Sequence, residues 1–214
     1  MRKLILKMSV SVDGFVCGPK GEADWIFRDR DEEAARWSVD TLWQAGLHLM
    51  GSRTYHDMAS WWPTSTDIFA PVMNEIPKAV ATTRTADELF RDRETSQAVK
   101  DAARARTTAS ATPTPEVAGS WSEPTVITGD LATEIARLKE QSGKDIYAHG
   151  GAGFARSLVR LGLVDEFCLL VLPVALGSGL PIFTGLPHPL YLDLVESTDF
   201  PKGSVARIYR PRPD

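Results

Sequence analysis

The sequence predicts an α/β fold in which a mostly parallel sheet carries antiparallel strands at one edge. Strand and helix patterns alternate from residue 4 to residue 162, which is the order that builds parallel βαβ units. After residue 166 strand patterns follow one another directly, which adds antiparallel strands to the edge of such a sheet. No internal repeat is present.

The strand patterns are short and apolar. They lie at Leu4–Val12, with a brief apolar return at Phe15–Cys17, and then at residues 47–50, 78–82, 125–128, 145–149, 166–176, 191–197 and 204–209. Helix patterns cover residues 31–45, with Gly46 as the expected stop, a short stretch ending at Met58, and two amphipathic segments that begin near residues 131 and 152. The side chains expected to be buried in the sheet are Val126, Ile127, Ile146, Leu169 and Val171.

Length and composition predict one ordinary globular domain spanning residues 1–214. A chain of 214 residues is long enough for one well-buried core and short for two. The formal net charge of -4 gives no reason to expect nucleic acid as a partner, and no apolar run approaches the length of a membrane span. Cys17 and Cys168 lie far apart, outside any metal-binding spacing, so we expect reduced thiols, no metal and a cytoplasmic protein without a signal peptide.

Residues 85–124 differ in composition from the rest of the chain. Large apolar residues are sparse there, and residues 107–115 are rich in Thr, Ala, Ser and Pro. We interpret the segment as a surface insertion, with a helix over part of residues 91–106 and an exposed, irregular stretch from Thr107 to Trp121.

Three of the strand patterns end in polar or glycine-rich turns. Asp145–His149 runs into Gly150, Gly151 and Gly153 at the start of an amphipathic helix, which can point backbone N–H groups at an anion. The stretch is interpreted either as a phosphate-binding turn or as an ordinary helix start in which the glycines only add conformational freedom. It matches neither G-x-G-x-x-G nor a P-loop. Similar turns at Gly51–Thr54 and Thr82–Arg84 favour an elongated, phosphate-bearing ligand at the carboxyl edge of the sheet.

Five segments, in order, make the chain similar to the dihydrofolate-reductase-like superfamily. Within it the chain most resembles the reductase domain of riboflavin biosynthesis and its stand-alone bacterial relatives. The segments are Met8–Gly14, Leu49–Tyr55, Val126–Asp130, His149–Phe154 and Pro173–Phe183. The resemblance implies a three-layer fold with helices on both faces of the sheet, NADPH as cofactor, a small-molecule substrate and a homodimer. We expect the apolar run Phe167–Leu176 and the loop after it to supply the dimer contact, because such a strand needs cover on both faces.

The resemblance also implies the positions of the cofactor. The residues it assigns to NADPH are Ser9, Val16, Gly51, Ser52, Arg53, Thr54, Thr83, Arg84, Gly129, Gly150, Gly151, Ala152, Gly153 and Phe154. Candidate substrate residues are Asp13, Asp24, Trp62, Gly179 and Leu180, although Asp13 also suits a simple turn and Trp62 simple packing. His48 and His149 are interpreted as structural and His56 as exposed.

Two positions depart from the family pattern. Relatives often carry Arg directly after the glycine of an M-G-R-x-T motif, whereas this sequence has Ser52 there and Arg53 one position later. Arg53 and Arg84 nevertheless predict a preference for NADPH over NADH. The acid that grips the pterin in folate reductases falls near Ala35, beside Glu32 and Glu33, which disfavours a folate substrate.

Two functions fit these observations. The first is an NADPH-dependent reductase of a small conjugated or heterocyclic substrate, with an aminopyrimidine of riboflavin biosynthesis as one candidate. The second is a non-catalytic nucleotide-binding or dimerisation module that keeps the fold. Hydride transfer asks little of side chains because the cofactor carries the chemistry, so the sequence identifies neither the substrate nor a catalytic residue. The deaminase motif that often accompanies the riboflavin reductase is absent from this sequence.

Overall fold

The computed structural model describes residues 1–91 and 112–213. In this part of the chain an eight-stranded sheet has the order β5-β4-β3-β6-β1-β7-β10-β9. Its strands are β1 (Leu4–Ser11), β3 (Ala45–Gly51), β4 (Lys78–Ala81), β5 (Thr125–Ile127), β6 (Asp145–Ala148), β7 (Glu166–Leu172), β9 (Leu192–Asp199) and β10 (Val205–Pro211). The pairs from β5 to β7 are parallel, and β10 is antiparallel to both of its neighbours. A separate ribbon pairs β2 (Phe15–Cys17) with β8 (Leu180–Pro181).

Helices cover both faces of this sheet, as the sequence predicts. They are α1 (Trp25–Arg28), α2 (Glu32–Leu42), α3 (Ser52–Trp61), α4 (Ala70–Glu75), α5 (Ala86–Arg91), α6 (Pro115–Ser122), α7 (Leu131–Glu140) and α8 (Ala152–Arg160), with a 3-10 turn at Trp62–Thr64. The described helices include none that is both long and apolar enough to cross a bilayer.

The period of two along each strand divides the core into two faces. We call the first the apolar face; it packs on α7 and α8 and is represented by Leu6, Leu49, Ile146 and Phe167. The second, the mixed face, packs on the helices from α2 to α6 and carries Lys7, His48, Lys78 and Tyr147 beside apolar neighbours such as Met50 and Val80. The two faces meet at the carboxyl ends of the parallel strands.

Several predicted boundaries and burials are wrong by small amounts. Helix α2 ends at Leu42 rather than at Ala45, because Ala45 already pairs with Asp145 of β6 as the first residue of β3. Val126 and Val171 are only partly buried, since β5 is an edge strand and Val171 lies near the end of β7, whereas Ile127, Ile146 and Leu169 are buried as predicted.

The described ends of the predicted insertion, residues 85–91 and 112–124, are more ordered than their composition indicates. Residues 115–122 form α6, and Trp121 is 4% exposed, so the expectation of an irregular, exposed stretch up to Trp121 is wrong there. Leu89 of α5 is also fully buried. The predicted helix at 91–106 lies almost entirely outside the described residues, as does the expected irregular stretch from 107 to 111.

Candidate active site

An open cleft of about 2320 Å³ runs along the carboxyl ends of β1, β3, β4 and β6. In an open α/β sheet this edge is where ligands bind. Every residue that the resemblance assigns to the cofactor lines the cleft, and so do Asp24, Trp62 and Leu180 from the substrate set. The structure therefore brings together segments that are far apart in the sequence.

Two helices of different faces point uncapped N-termini into this cleft. Helix α3 begins after Gly51 and α8 after Gly151, and neither glycine offers a side chain to the first-turn amides. The N-terminus of α7 differs, because Asp130 accepts a hydrogen bond from the Thr133 N–H. Uncapped helix N-termini combine free N–H donors with a favourable dipole, which suits phosphate oxygens.

The glycines at this junction lie close to neighbouring side chains. Gly150 has φ +55°, and a Cβ there would lie 2.7 Å from Met8 Cε. A Cβ on Gly51 would lie 3.0 Å from Cβ of Phe154. The Gly150–Gly151 peptide is cis, and the Gly151 N–H donates to Thr54 Oγ1 at 2.7 Å, which ties the start of α8 to α3. A side chain at Gly150 would require a left-handed backbone and a shift of Met8, and one at Gly51 would crowd Phe154.

Two predicted substrate residues lie outside the lining of the cleft. The Asp13 carboxylate accepts hydrogen bonds from the Leu176 and Gly177 N–H groups and from the Ser11 hydroxyl. These bonds, with that of Ser11 first, lower the pKa of Asp13. Gly179 packs so closely on β2 that a Cβ would lie 2.4 Å from the Cys17 carbonyl oxygen. The contacts of both residues hold the 173–181 loop against the start of the chain.

The floor of the cleft contains a group of basic side chains that the sequence analysis did not assign to the site. Lys7 of β1 and His149 at the end of β6 both line the cleft. His149 Nε2 lies 2.7 Å from Nδ1 of the fully buried His48, whose Nε2 lies 3.1 Å from the Val72 carbonyl oxygen. Burial lowers the pKa of His48 to about 4 and the pKa of His149 well below its ordinary value, so both imidazoles are neutral near pH 7. The local sequence pattern gave no signal for this group, because Lys7 and His149 belong to segments far apart in the chain.

Three aromatic side chains and two exposed arginines also line the cleft. The aromatic ones are Trp61, Trp62 and Phe27, which is 59% exposed. Arg53 and Arg84 are exposed at the starts of α3 and of the segment after β4. Within the described ranges no group of three or more His, Cys, Asp or Glu side chains could hold a metal ion. His56, expected to be exposed, is buried instead.

Comparisons with known proteins agree with this architecture. A family model described as the RibD C-terminal domain matches residues 2–206. The uncharacterized protein YyaP of Bacillus subtilis is 29% identical over 214 residues, which cover 97% of this chain and 94% of YyaP.

Solved structures of low identity share the fold. The putative riboflavin biosynthesis protein from Shewanella sp. PV-4 matches with a TM-score of 0.66 at 18% identity, over 100% of both chains. Dihydrofolate reductase from Enterococcus faecalis, in a complex with NADP(H), matches with a TM-score of 0.59 at 10% identity, over 99% of this chain and 97% of that one. The dihydrofolate-reductase-like fold predicted from the sequence is confirmed. Because the family model spans nearly all of the chain, including every strand that borders the cleft, this protein belongs to the RibD C-terminal domain family.

Proposed function

We propose that the chain is an NADPH-dependent reductase that transfers hydride to a small conjugated or heterocyclic substrate in the cytoplasm. The observation that carries this proposal is the convergence of two uncapped helix N-termini, α3 and α8, on one cleft that also contains exposed arginines. Membership of the RibD C-terminal domain family supports it, as does the shared fold with a dihydrofolate reductase that binds NADP(H). An aminopyrimidine of riboflavin biosynthesis is the first substrate to test.

The residues present fit the cofactor in charge and shape. The first-turn amides of α3 and α8 would hold pyrophosphate oxygens, and the glycines leave room for them to approach. Arg53 and Arg84 would hold the adenosine phosphate, while Ser9 and Val16 on the first strands line the opposite part of the cleft. NADPH supplies the hydride when bound, and positioning and exclusion of water fall to the protein.

The test is a two-step assay on the purified full chain. NADPH should first quench tryptophan fluorescence, because Trp61 and Trp62 line the cleft. Steady-state consumption of NADPH is then followed at 340 nm with a panel of aminopyrimidines, pteridines, quinones and enones. Binding without consumption by any substrate would favour the non-catalytic nucleotide-binding module. Absence of binding would reject the NADPH-dependent reductase and leave the dimerisation module.

We also propose that the chain forms a homodimer through strand β9. The run Phe167–Leu176, from which the dimer was expected, is largely covered within the chain, because β7 lies between β1 and β10 and its side chains pack in the core. The exposed apolar side chains lie on the neighbouring edge strand and its approach, at Tyr191, Leu194 and Val195. An edge strand with exposed apolar side chains is a ready surface for a second copy.

Sedimentation at micromolar concentration tests the dimer. We expect twice the chain mass for the wild type and the mass of a monomer for Leu194→Lys. Leu161→Lys, which places the same charge on another exposed leucine, should leave the dimer intact. A wild-type protein that sediments as a monomer contradicts the proposal.

A further inference from the structure

Helix α3 carries free amides that the proposed function assigns to the cofactor, but few of its own side chains anchor it in the protein. Of its ten residues only Tyr55 and His56 are buried. His56 lines the cleft, whereas Tyr55 is 2% exposed and packs in the core of the mixed face, outside the cleft lining. The position of the first turn of α3 therefore depends on what surrounds Tyr55.

Tyr55 is in contact with the helices α5 and α6. Its ring lies 6.5 Å from that of Phe90 in an edge-on arrangement and 6.1 Å from that of Trp121. Its hydroxyl donates to the Trp121 carbonyl oxygen, which is among the last four carbonyls of α6, the ones that a helix leaves without an internal partner. The same bond thus satisfies the end of α6 and fixes the start of α3.

The other end of α3 is held by Asn74 of α4. The side-chain amide of Asn74 donates to the carbonyl oxygen of Trp62, the C-cap residue of α3, at 3.2 Å. The side-chain oxygen of Asn74 accepts from the Trp121 indole N–H at 2.7 Å. Asn74 and Trp121 are therefore joined to each other, and each of them bonds to one end of α3. We call these two residues the α3 clamp.

Further contacts fix the α3 clamp to the sheet. Lys78, at the start of β4, donates to the Asn74 carbonyl oxygen at 2.5 Å and to Ser120 Oγ at 3.0 Å. The Lys78 ammonium also lies 4.7 Å from the centre of the Trp121 ring. Both clamp residues are buried and lie outside the lining of the cleft. They can act on a bound ligand only through α3.

The position of α3 matters because a pyrophosphate in the cleft would have to meet two helix starts at once. Helices α3 and α8 are joined by the Gly151 N–H, which donates to Thr54 Oγ1 at 2.7 Å. Hydrogen bonds weaken steeply when the donor moves away or turns from the acceptor. After a shift of α3 relative to α8, a ligand that spans both starts would bond well to only one of them.

We infer that Asn74 and Trp121 are positioning residues for the cofactor, which act through both ends of α3 to set the place of its free amides relative to those of α8. This inference rests on the proposed function and adds to it two residues that lie outside the cleft. The α3 clamp then matters for ligands that span the two helix starts. A ligand that touches α3 alone follows the helix and binds independently of the clamp.

The variant Tyr55→Phe tests the inference, because it removes the hydroxyl that bonds to the clamp and keeps the ring. NADPH and NADH both carry the pyrophosphate, and we expect each to bind about 3- to 10-fold more weakly than to the wild type, the range of one net hydrogen bond. Adenosine 2′,5′-bisphosphate has a single 5′-phosphate and cannot span both helix starts, so its binding should not change. Isothermal titration calorimetry on the full chain measures the three dissociation constants.

Tyr147→Phe is the matched control. Tyr147 is a buried tyrosine of the same face, and within the described residues its hydroxyl forms no hydrogen bond with α3, α4 or α6. This variant should bind all three ligands as the wild type does. Asn74→Asp loosens the other end of α3, because a carboxylate accepts from the Trp121 indole but cannot donate to the Trp62 carbonyl oxygen. It should show the same pattern as Tyr55→Phe.

The three ligands separate positioning from a general loss of structure. Equal weakening of all three in Tyr55→Phe would indicate a structural defect and overturn the inference. Unchanged NADPH binding in Tyr55→Phe, or the same pattern of losses in Tyr147→Phe, would also overturn it, while NADPH binding by the wild type would still support the proposed function. A wild type that binds neither NADPH nor NADH rejects the reductase, and the inference with it.

Discussion

The two faces of the sheet differ in the kind of side chains they bury and in how these are stabilised. On the apolar face, β1, β3 and β6 present aliphatic side chains to α7 and α8, and the packing is that of a simple hydrophobic core. On the mixed face, the same strands and β4 place Lys7, His48, Lys78 and Tyr147 among apolar neighbours. A buried polar group destabilises a protein unless it is hydrogen-bonded, so this face depends on specific partners. The comparison indicates that the apolar face holds the sheet together and the mixed face forms the floor of the cleft.

The hydrogen-bond partners of the polar side chains on the mixed face lie on short helices. Trp121 of α6 donates its indole N–H to Asn74 Oδ1 at 2.7 Å, and its ring lies 4.7 Å from Lys78 Nζ. Lys78 in turn donates to the Asn74 carbonyl oxygen at 2.5 Å, and Tyr55 donates its hydroxyl proton to the Trp121 carbonyl oxygen. Helix α6, at the end of the predicted surface insertion, therefore closes the mixed face.

Removal of the Trp121 side chain, which closes the mixed face, should have the largest effect on stability. We expect Trp121→Ala to lower the free energy of unfolding by about 3–5 kcal/mol, the cost of a large buried aromatic, because the Asn74 and Lys78 groups also lose a partner. Urea denaturation measures it. Trp25→Ala, at a half-buried tryptophan outside the cleft lining, should cost about 1 kcal/mol. Equal, small losses in both variants would show that α6 is peripheral.

A lower pH should have the second-largest effect on stability, through the mixed face. His48 has a folded-state pKa of about 4 against an ordinary 6.5, so between these values the unfolded chain binds more protons than the folded one. Stability then falls as the pH drops from about 6.5 and levels off below about 4, by about 3 kcal/mol in total. The depressed pKa of His149 acts in the same direction.

The variant His48→Gln isolates the His48 contribution, because glutamine keeps a donor for the Val72 carbonyl oxygen and does not titrate. Its unfolding free energy, measured at pH 7, 6, 5 and 4, should change less than that of the wild type. His188→Gln removes an exposed histidine and serves as the control. Parallel curves for wild type and His48→Gln would exclude His48 as the source.

The same contrast explains what the sequence could reveal. The apolar face was predictable, because alternation in Leu4–Val12 and Asp145–His149 and the helix period of residues 152–162 are strong local signals. The glycine turns were predictable from the same boundaries. The mixed face was not, because a lysine or histidine within a strand has no local mark of burial. The docking of Trp121 depends on Asn74 and Lys78, more than forty residues away in the chain.

Loss of the hydrogen bond that joins the two faces at the cleft should have a smaller effect on stability. The hydrogen bond from the Gly151 N–H to Thr54 Oγ1 joins α8 of the apolar face to α3 of the mixed face. Thr54→Val leaves that N–H without its partner, so we expect a loss of about 1–2 kcal/mol in stability and weaker NADPH binding. Thr54→Ser, which keeps the hydroxyl, should restore both. Denaturation and fluorescence titration report the two effects, and a serine variant as impaired as valine would point to the methyl group instead.

The choice between NADPH and NADH depends on the mouth of the cleft, where the two faces of the sheet present different chemical groups. Helix α8 presents backbone N–H groups and no charged side chain in its first turn, and these groups treat NADPH and NADH alike because the pyrophosphate is common to both. The extra phosphate of NADPH has to be recognised by side chains, and Arg53 and Arg84 stand exposed at the mixed-face end of the same cleft.

A charge-assisted hydrogen bond contributes about 1.5–3 kcal/mol, and solvent exposure favours the lower end of that range. We therefore expect Arg53→Ala and Arg84→Ala each to weaken NADPH binding about tenfold and to change NADH binding little. Arg36→Ala, at an exposed arginine of α2 away from the cleft, should bind both cofactors as the wild type does. Dissociation constants for both cofactors at two salt concentrations test this, because contacts with the extra phosphate make NADPH binding fall with salt more steeply than NADH binding. Equal losses for the two cofactors would place the arginines on the pyrophosphate, and recognition of the 2′-phosphate would then have to come from the hydroxyls of Ser52 and Thr83.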